Sequence, residues 1–411
     1  MEKRVNKMPE VLAPAGDMEK LKAALLYGAD AVYVGGKLHT MRAGAGNFTV
    51  EELKEAVTLA HAVGTKVYFT VNTLPLNNEI SGLEQYLKEI ASTGIDAFIV
   101  ADIGMMMAAK RAASGVELHI STQAGITNYL TANELYNLGA KRVILARELD
   151  LESIRGIRQN TPPDLDIEYF VHGAMCMSFS GRCLLSNYML GRDANRGECA
   201  QPCRWGYHLV EEKRPGVYYP IYEDEKGSYI LNAKDMCLIE HIDKLHEAGV
   251  TSLKIEGRAK SAYYAAVITN AYRCAVDLYA KEPQQFKLPD WLLEETRKVS
   301  HRDYVPGFLF GRPDDAQCYQ SGGYIREWDV VAVVQKWENG VAHCLQRNKF
   351  YNGDTLEALI PKSGPVELMV QELKDAQGNE LEHVCHAAME FTFACPVPLA
   401  EGTLLRKQKL D

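Results

Sequence analysis

The segments Gly28-Ala-Asp-Ala-Val-Tyr-Val34, Gly64-Thr-Lys-Val-Tyr-Phe-Thr70 and Gly94-Ile-Asp-Ala-Phe-Ile-Val100 decide the fold. Each follows an amphipathic helical stretch and places a glycine, two further residues and then a run rich in β-branched and aromatic side chains. The glycine is typical of the position just after a helix, where a positive φ is common. The continuous apolar run predicts a strand that is buried on both faces. The same pattern recurs at Gly115, Gly139 and Gly249.

Two more apolar runs, Val11–Ala15 and Ile167–Val171, complete a set of eight predicted strands. The strands begin near residues 11, 31, 67, 97, 118, 142, 167 and 252. Strands that alternate with helices pair in parallel. The pattern therefore favours an α/β protein with a closed (β/α)8 barrel of the TIM type, and a doubly wound open sheet is the alternative.

The spacing of the strands also divides the chain. Residues 1–310 are expected to form the catalytic barrel, with a long cysteine-rich insertion between strands seven and eight at about residues 174–235. In a barrel, such an insertion emerges at the C-terminal face, where active sites lie. From residue 321 to 411 the chain has short β-rich runs with turn signals, which predict a small C-terminal β-barrel domain.

Composition and charge exclude several classes of protein. The 411 residues are 47% hydrophobic and carry a formal net charge of -9, so binding of RNA would require a local basic surface. No apolar stretch approaches the ~18 residues of a membrane span. Residues Met1 to Pro9 lack the apolar core of a signal peptide, so we expect a cytoplasmic protein.

The cysteines are unevenly distributed. None of the ten precedes Cys176, and five lie between Cys176 and Cys237, among glycine and polar residues. In a reducing compartment such a group indicates metal binding rather than disulfides. Zinc and an iron–sulfur cluster both accept four thiolates; the absence of Cys-x2-Cys pairs favours iron–sulfur slightly. The five are Cys176, Cys183, Cys199, Cys203 and Cys237.

The stretch from Glu168 to Ser186 is similar to a known signature. Its Gly173-Ala-Met-Cys176 and Gly181-x-Cys183-x-Leu-Ser186 resemble the motif of the collagenase-like peptidases, family U-32. The segments Leu12-Ala-Pro-Ala-Gly16 and Gly197-Glu-Cys199 also resemble that family. The β-rich tail is similar to that of the family's tRNA hydroxylation branch.

The resemblance implies a [4Fe–4S] cluster and an oxygen-independent tRNA uridine hydroxylase. The implied product is 5-hydroxyuridine at the wobble position of the anticodon loop, with prephenate as the hydroxyl donor and co-substrate. Transferred residue by residue, the ligand pattern matches Cys176, Cys183, Cys199 and Cys237. Cys203 is the replacement should Cys237 lie apart from the others.

Residues that follow each strand should surround the barrel mouth. Among them, His172 is a candidate for proton transfer, and Arg147 and Glu256 are further catalytic candidates, although such pairs also serve as structural caps. Arginines bind carboxylates with fork geometry, so Arg192 and Arg196 are expected to contact a small dicarboxylate co-substrate. The full set at the mouth is Asn72, Asp102, Gln123, Arg147, Glu148, His172, Glu256 and Arg258.

Two other functions remain open at this stage. A peptidase would need an activated nucleophile or an open metal site, and the sequence contains neither His-Glu-x-x-His nor Gly-x-Ser-x-Gly. A Cys–His dyad remains possible because such pairing is spatial. A zinc-stapled RNA-binding module without catalysis is the third reading.

Overall fold

The computed structural model describes residues 8–42, 44–175, 183, 185–194, 197–205, 208–209, 219–220, 234–311 and 324–409. In the first part of the chain the strands are β1 Glu10–Pro14, β2 Ala31–Gly35, β3 Lys66–Val71, β4 Ala97–Val100, β5 Glu117–Ile120, β6 Arg142–Ile144, β7 Asp166–Ala174, β8 His208–Leu209, β9 Tyr219–Pro220, β10 Asp235–Cys237, β11 Ser252–Ile255 and β12 Tyr304–Val305. The helices are α1 Met18–Leu26, α2 Val50–Ala62, α3 Leu83–Ala91, α4 Ile103–Ala112, α5 Tyr129–Asn137, α6 Leu151–Gln159, α7 Leu185–Leu190, α8 Ile242–Glu247, α9 Ala262–Lys281 and α10 Asp290–Arg297. Short 3-10 turns span Asn77–Glu79, Thr122–Ala124, Pro202–Arg204, Ile239–His241 and Pro283–Gln285.

Eight parallel strands close into a barrel. Strands β1 to β7 pair in chain order, and β11 pairs in parallel with both β1 and β7, where Ser252 lies opposite Glu10 and Glu168. The closed (β/α)8 fold is thus confirmed, and the open sheet is wrong. The predicted glycine conformation holds at Gly28, with φ of 90°, but Gly115 is not among the residues with positive φ.

Strand β7 changes direction before it ends. Its register with β11 shifts after Phe170, so that Lys254 pairs with Phe170 and the next residue, Ile255, pairs with His172. The extra residue, Val171, forms a β-bulge, and a bulge reverses the faces to which the following side chains point. Beyond it, β7 pairs antiparallel with β10, which places Cys237 opposite His172.

The C-terminal residues form a seven-stranded antiparallel sheet, as the short β-rich runs predict. Its own apolar core includes Phe350, Phe391 and Phe393. The sheet order is β17-β16-β21-β13-β14-β20-β18, and β15 pairs separately with β19. These strands are β13 Trp328–Glu338, β14 Val341–Gln346, β15 Phe350–Tyr351, β16 Thr355–Leu359, β17 Val366–Met369, β18 Lys374–Asp375, β19 His383–Val384, β20 Glu390–Ala394 and β21 Leu404–Gln408.

The two domains are joined by buried polar contacts. The hydroxyl of Tyr27 on the barrel donates to the carbonyl of Leu359, 3.0 Å away, and accepts from the backbone N–H of Leu404 at 3.1 Å. Arg406 of β21, fully buried, donates to Glu295 of α10 at 2.6 Å. Such satisfied contacts hold the β domain at a fixed position beside the barrel. Among the described helices, none is long and apolar enough to cross a membrane.

Candidate functional site

A cavity of about 1240 Å³ lies between the C-terminal ends of the barrel strands and the C-terminal domain. Three parts of the chain contribute to its walls: the barrel loops, the insertion and the C-terminal sheet. Large concave sites at this face of a barrel are the usual location of ligand binding. The lining residues discussed below are Arg42, Arg147, Glu256, Arg192, Cys199, Cys203, Tyr324 and Arg347.

Two thiols of the insertion reach this cavity. Cys199 is exposed, and its Sγ accepts a hydrogen bond from the backbone N–H of Gln201 at 3.4 Å. Cys203 lies in the 3-10 turn Pro202–Arg204 and also lines the cavity. Cys183 is half-buried. Thiolates on irregular loops are the donors that iron–sulfur clusters take.

The described residues do not by themselves complete a metal site. Within the ranges that the structure covers, no three His, Cys, Asp or Glu side chains come together as ligands. Cys176 and Arg196, both expected at the cluster, lie outside the described residues. The donor chemistry fits an iron–sulfur group, while its assembly from four cysteines stays a prediction.

His172 and Cys237 lie on the outer side of the barrel wall. The bulge in β7 turns His172 out of the interior, so it is buried against the rings of Tyr264, Tyr272 and Tyr304. Cys237, its partner in the pairing of β7 and β10, packs against the same apolar core. Neither residue lines the cavity at the mouth. The geometry therefore gives no support to proton transfer by His172 there.

Hydrogen bonds fix the tautomer of His172. The Tyr304 hydroxyl donates to the carbonyl of Thr296 at 2.7 Å, so it accepts from Nε2–H of His172 at 3.2 Å. Nδ1 is then a buried acceptor without a partner among the described residues. Burial lowers the pKa of His172 to about 3 and raises the pKa of the Cys237 thiol to about 11. Both groups are thus neutral at physiological pH.

Four charged residues form what we call the mouth cluster: Arg42, Arg147, Glu256 and Arg258. Glu256 accepts from Arg42 at 3.1 Å and from Arg147 at 3.2 Å. Burial opposes ionisation of Glu256, but the two guanidinium groups outweigh it and lower the pKa of the carboxyl to about 2. Glu256 is therefore ionised and holds both arginines in place.

Arg258 is the most buried member, at 2% exposure. Its guanidinium donates to the hydroxyls of Thr70 at 2.7 Å and Thr40 at 2.5 Å, and among the described residues it has no ion pair with a carboxylate. Burial lowers its pKa to about 10, which leaves it charged at neutral pH. A Cβ at residue 35 would overlap the guanidinium, so Gly35 supplies the space that it fills.

The mouth cluster surrounds a smaller cavity of about 50 Å³ inside the barrel. This inner cavity adjoins the large one, since Arg42, Arg147 and Glu256 line both. Gln123, which lines both, has a buried Oε1 without a partner among the described residues. The remaining walls include Tyr33, Ile99 and Phe170.

A second charged group, the floor cluster, consists of Glu10, Arg142, Glu168 and Lys254. Glu168 accepts from Lys254 at 2.6 Å and from Arg142 at 3.0 Å, and Arg142 also donates to Glu10 at 2.7 Å. Burial opposes ionisation of both carboxyls, but Lys254 and Arg142 lower the pKa of Glu168, and Arg142 lowers that of Glu10. Two cations thus balance two anions.

The structure brings part of the predicted set to the site. Arg147, Glu256 and Arg192 line the large cavity, as expected of residues near the mouth. Asp102 is a helix cap instead, since its side chain accepts from the backbone N–H of Met105. The sequence analysis did not identify Arg42. This residue lies in the loop after β2, so the rule that residues following each strand surround the mouth applies to it as well.

These observations define a (β/α)8-barrel protein with a thiol-bearing insertion over its mouth and an antiparallel β domain beside it. The family model described as peptidase family U32 matches residues 16–318, and that of the peptidase family U32 C-terminal domain matches residues 326–406. The chain belongs to peptidase family U32, and the resemblance seen in its cysteine motif is confirmed.

Curated relatives carry names of different kinds. The chain is 38% identical over 408 residues to the tRNA hydroxylation protein P1 of Bacillus subtilis, which covers 98% of this chain and 96% of the relative. It is 36% identical over 416 residues to the tRNA hydroxylation protein P of Escherichia coli, covering 91% and 90%. It is 41% identical over 376 residues to an uncharacterized protease of Methanocaldococcus jannaschii, covering 89% and 90%.

Proposed function

We propose that this protein is an RNA-modifying enzyme, an iron–sulfur tRNA hydroxylase. The observation that carries the proposal is the large cavity, where thiols of the insertion and a layer of arginines meet a wall from a second domain. The names of the Bacillus subtilis and Escherichia coli relatives, which align over nearly the whole chain, support hydroxylation of tRNA.

The charges around the cavity suit a nucleic acid. Of the described residues, eight basic and four acidic side chains line it, although the whole chain carries a net charge of -9. The ring of Tyr324 lies 4.3 Å from the ammonium of Lys260 and 4.3 Å from the guanidinium carbon of Arg302. Cations beside aromatic rings bind unstacked bases and their phosphates. This surface supplies the local positive charge that RNA binding requires.

The finer chemistry is also part of the proposal. The enzyme forms 5-hydroxyuridine at the wobble position of the anticodon loop without oxygen: the hydroxyl group of prephenate replaces the hydrogen at C5, and prephenate accepts that hydrogen and the two electrons that uridine loses. A [4Fe–4S] cluster held by Cys176, Cys183, Cys199 and a fourth thiolate would supply one-electron transfer or a Lewis-acidic iron. The protein's own residues bind and orient the two substrates.

Anaerobic purification tests this proposal. The protein should contain iron and sulfide, show an electron paramagnetic signal on reduction, and convert wobble uridine of unmodified tRNA when prephenate is added; nucleoside mass spectrometry detects the product. A deletion strain should lack the same nucleoside. Zinc as the sole metal, with no product, would favour the binding module instead.

The fourth thiolate needs a test of its own. Cys203 shares the cavity with Cys199, whereas Cys237 packs against the apolar core, so the geometry favours Cys203. We expect anaerobic Cys203→Ser protein to lose iron and visible absorbance, and Cys237→Ser protein to keep both. The reverse result would return the assignment to Cys237, as the family resemblance implies.

The RNA surface can be tested separately. Arg347 lines the cavity and has an exposed ion pair with Glu19, so its loss should leave the fold intact. Arg347→Gln should weaken tRNA binding roughly 3- to 10-fold and lower the salt dependence of binding by about one phosphate contact. Arg297→Gln is the matched control, because Arg297 is also an exposed, paired arginine but lies outside the cavity.

Peptidase activity has no comparable support. Among the described residues, strand pairing brings Cys237 and His172 together; His172 is buried, Cys237 is half-buried, and both lie outside the cavity. A thiol whose pKa is raised to about 11 is not a thiolate at neutral pH. Peptide cleavage by clean protein that disappears in Cys237→Ser would overturn this conclusion.

A further inference from the structure

The two charged clusters inside the barrel differ in net charge. The floor cluster is neutral, but the mouth cluster sets three guanidinium groups against the single carboxylate of Glu256. An excess of two positive charges is costly in a partly buried site unless anions enter it. We infer that the mouth cluster is the binding site for the carboxylates of a small dianionic co-substrate.

Arg258 carries the argument furthest. Its guanidinium is buried with two threonine hydroxyls as acceptors, and the absence of a side chain at Gly35 makes room for it. The two hydroxyls offset part of the free energy lost when the guanidinium leaves water, but they do not neutralise its positive charge. Residues that only stabilised the barrel would be paired as Arg142 is, with carboxylates. An incoming carboxylate gives Arg258 the anion that the described residues do not provide.

The shape of the inner cavity selects the kind of anion. A space of about 50 Å³ bounded by Tyr33, Ile99 and Phe170, with Lys254 and its partner Glu168 below, admits one end of a small molecule. A phosphodiester in an RNA chain is flanked by nucleosides on both sides, so it fits the open cavity above instead. The RNA and the small dianion therefore occupy different depths of one site.

This inference rests on the proposed function, because it places the co-substrate of that reaction. It also moves the co-substrate from Arg192 and Arg196, which the sequence indicated, to Arg42, Arg147 and Arg258. The side chain of Arg192 belongs to the insertion and lines the outer cavity but not the inner one. The two sets of arginines are thus alternative binding sites for the same ligand, and substitutions in them should affect its binding differently.

Calorimetry on anaerobically purified full-length protein distinguishes them. Prephenate and malonate serve as dianions, and benzoate serves as a monoanion. The dianions should bind more tightly than benzoate. Arg258→Lys, which keeps the charge but loses the fork, and Arg42→Gln should each weaken prephenate binding about 10-fold or more. Arg192→Gln should leave it within about 2-fold if that residue contacts RNA alone.

The controls separate binding from folding and from the proposed reaction. Arg111→Gln, at an exposed pair with Glu84 on the outside of the barrel, should bind prephenate as the unaltered protein does. Should Arg258→Lys fail to fold, Arg42→Gln carries the test, because the side chain of Arg42 is 37% exposed. Circular dichroism and thermal unfolding report the fold of each variant.

Each outcome decides something. Loss of binding in Arg192→Gln with normal binding in Arg258→Lys and Arg42→Gln would overturn the inference and leave the tRNA hydroxylase intact. Dianion binding that depends on Arg42 and Arg258, in protein that holds no iron and modifies no tRNA, would sustain the inference and refute the proposed function. Absence of any dianion binding at millimolar concentration would overturn the inference.

Discussion

The floor cluster and the mouth cluster lie at two levels of one barrel, yet they are built differently: β6 and β11 each carry a floor residue, and the loops that follow them carry mouth residues. In the floor cluster each charge meets an opposite charge, as Glu168 does with Lys254 and Arg142. In the mouth cluster Arg258 meets hydroxyls, and Glu256 is shared by two arginines. The difference teaches that burial of charge alone does not mark a functional site. An imbalance of charge, at the open end of the barrel, is the observation on which the inferred binding site rests.

The largest expected effect is in the floor cluster. Glu168→Gln leaves Lys254 and Arg142 without the carboxylate that they share, and removing one partner of a buried ion pair costs about 3–5 kcal/mol. Urea unfolding followed by tryptophan fluorescence should show this loss. A change below about 1 kcal/mol would mean that the floor cluster contributes little to stability and that the contrast with the mouth is wrong.

The second-largest effect is the loss of folding stability in acid, which acts through the floor cluster. Arg142 lowers the pKa of Glu10 from 4.5 to about 2 against the effect of burial. A carboxyl with a lowered pKa in the folded state stabilises above the pKa of the unfolded chain, and this stabilisation is lost as the pH falls toward 2. The loss should amount to about 2–3 kcal/mol between pH 5 and pH 2.

Glu10→Gln is the variant that isolates this titration. Its unfolding midpoint should start lower at pH 6 and depend less on pH between 5 and 2 than that of the unaltered protein. Equal slopes for the two proteins would show that other carboxyls dominate acid unfolding.

A smaller effect on stability is expected in the mouth cluster. Arg258→Met replaces a buried charge that lacks an ion pair by an apolar chain of similar length, so the ligand-free protein should keep its stability within about 1 kcal/mol or gain some. Thermal unfolding without added anions measures this. Destabilisation as large as that of Glu168→Gln would make Arg258 a structural residue.

An exposed pair gives the baseline for all of these measurements. Glu84→Gln removes the partner of Arg111, whose side chain is 61% exposed, and should change stability by less than about 0.5 kcal/mol. A larger change would indicate that the assay responds to surface charge in general.

Strand positions were predictable because the signal is local. An apolar run after the glycine of a helix end, as in Ala31-Val-Tyr-Val34, needs no knowledge of the rest of the chain. The C-terminal position of Arg147 and Glu256 followed from the same pattern, since loops after parallel strands meet at one face.

The orientation of His172 was not predictable for a physical reason. A single inserted residue in β7, Val171, reverses the side on which His172 lies, and nothing in the local sequence distinguishes this bulge from a regular strand. Cys237 pairs with His172 and faces the apolar core for the same reason. The one bulge therefore explains why both of these candidate residues lie away from the mouth. The charge excess at Arg258 was equally hidden, because pairing between distant strands decides it.

The contact of Tyr27 with Leu359 and Leu404 bears on which part of the molecule selects the substrate, the barrel or the C-terminal sheet. One side of the large opening belongs to the barrel and the opposite side to the antiparallel sheet, and this contact sets the gap between them. A change in the sheet can alter which polymer is admitted without moving any arginine near Glu256. Under the proposed function, reactivity and choice of target are therefore expected to be separable properties of this molecule.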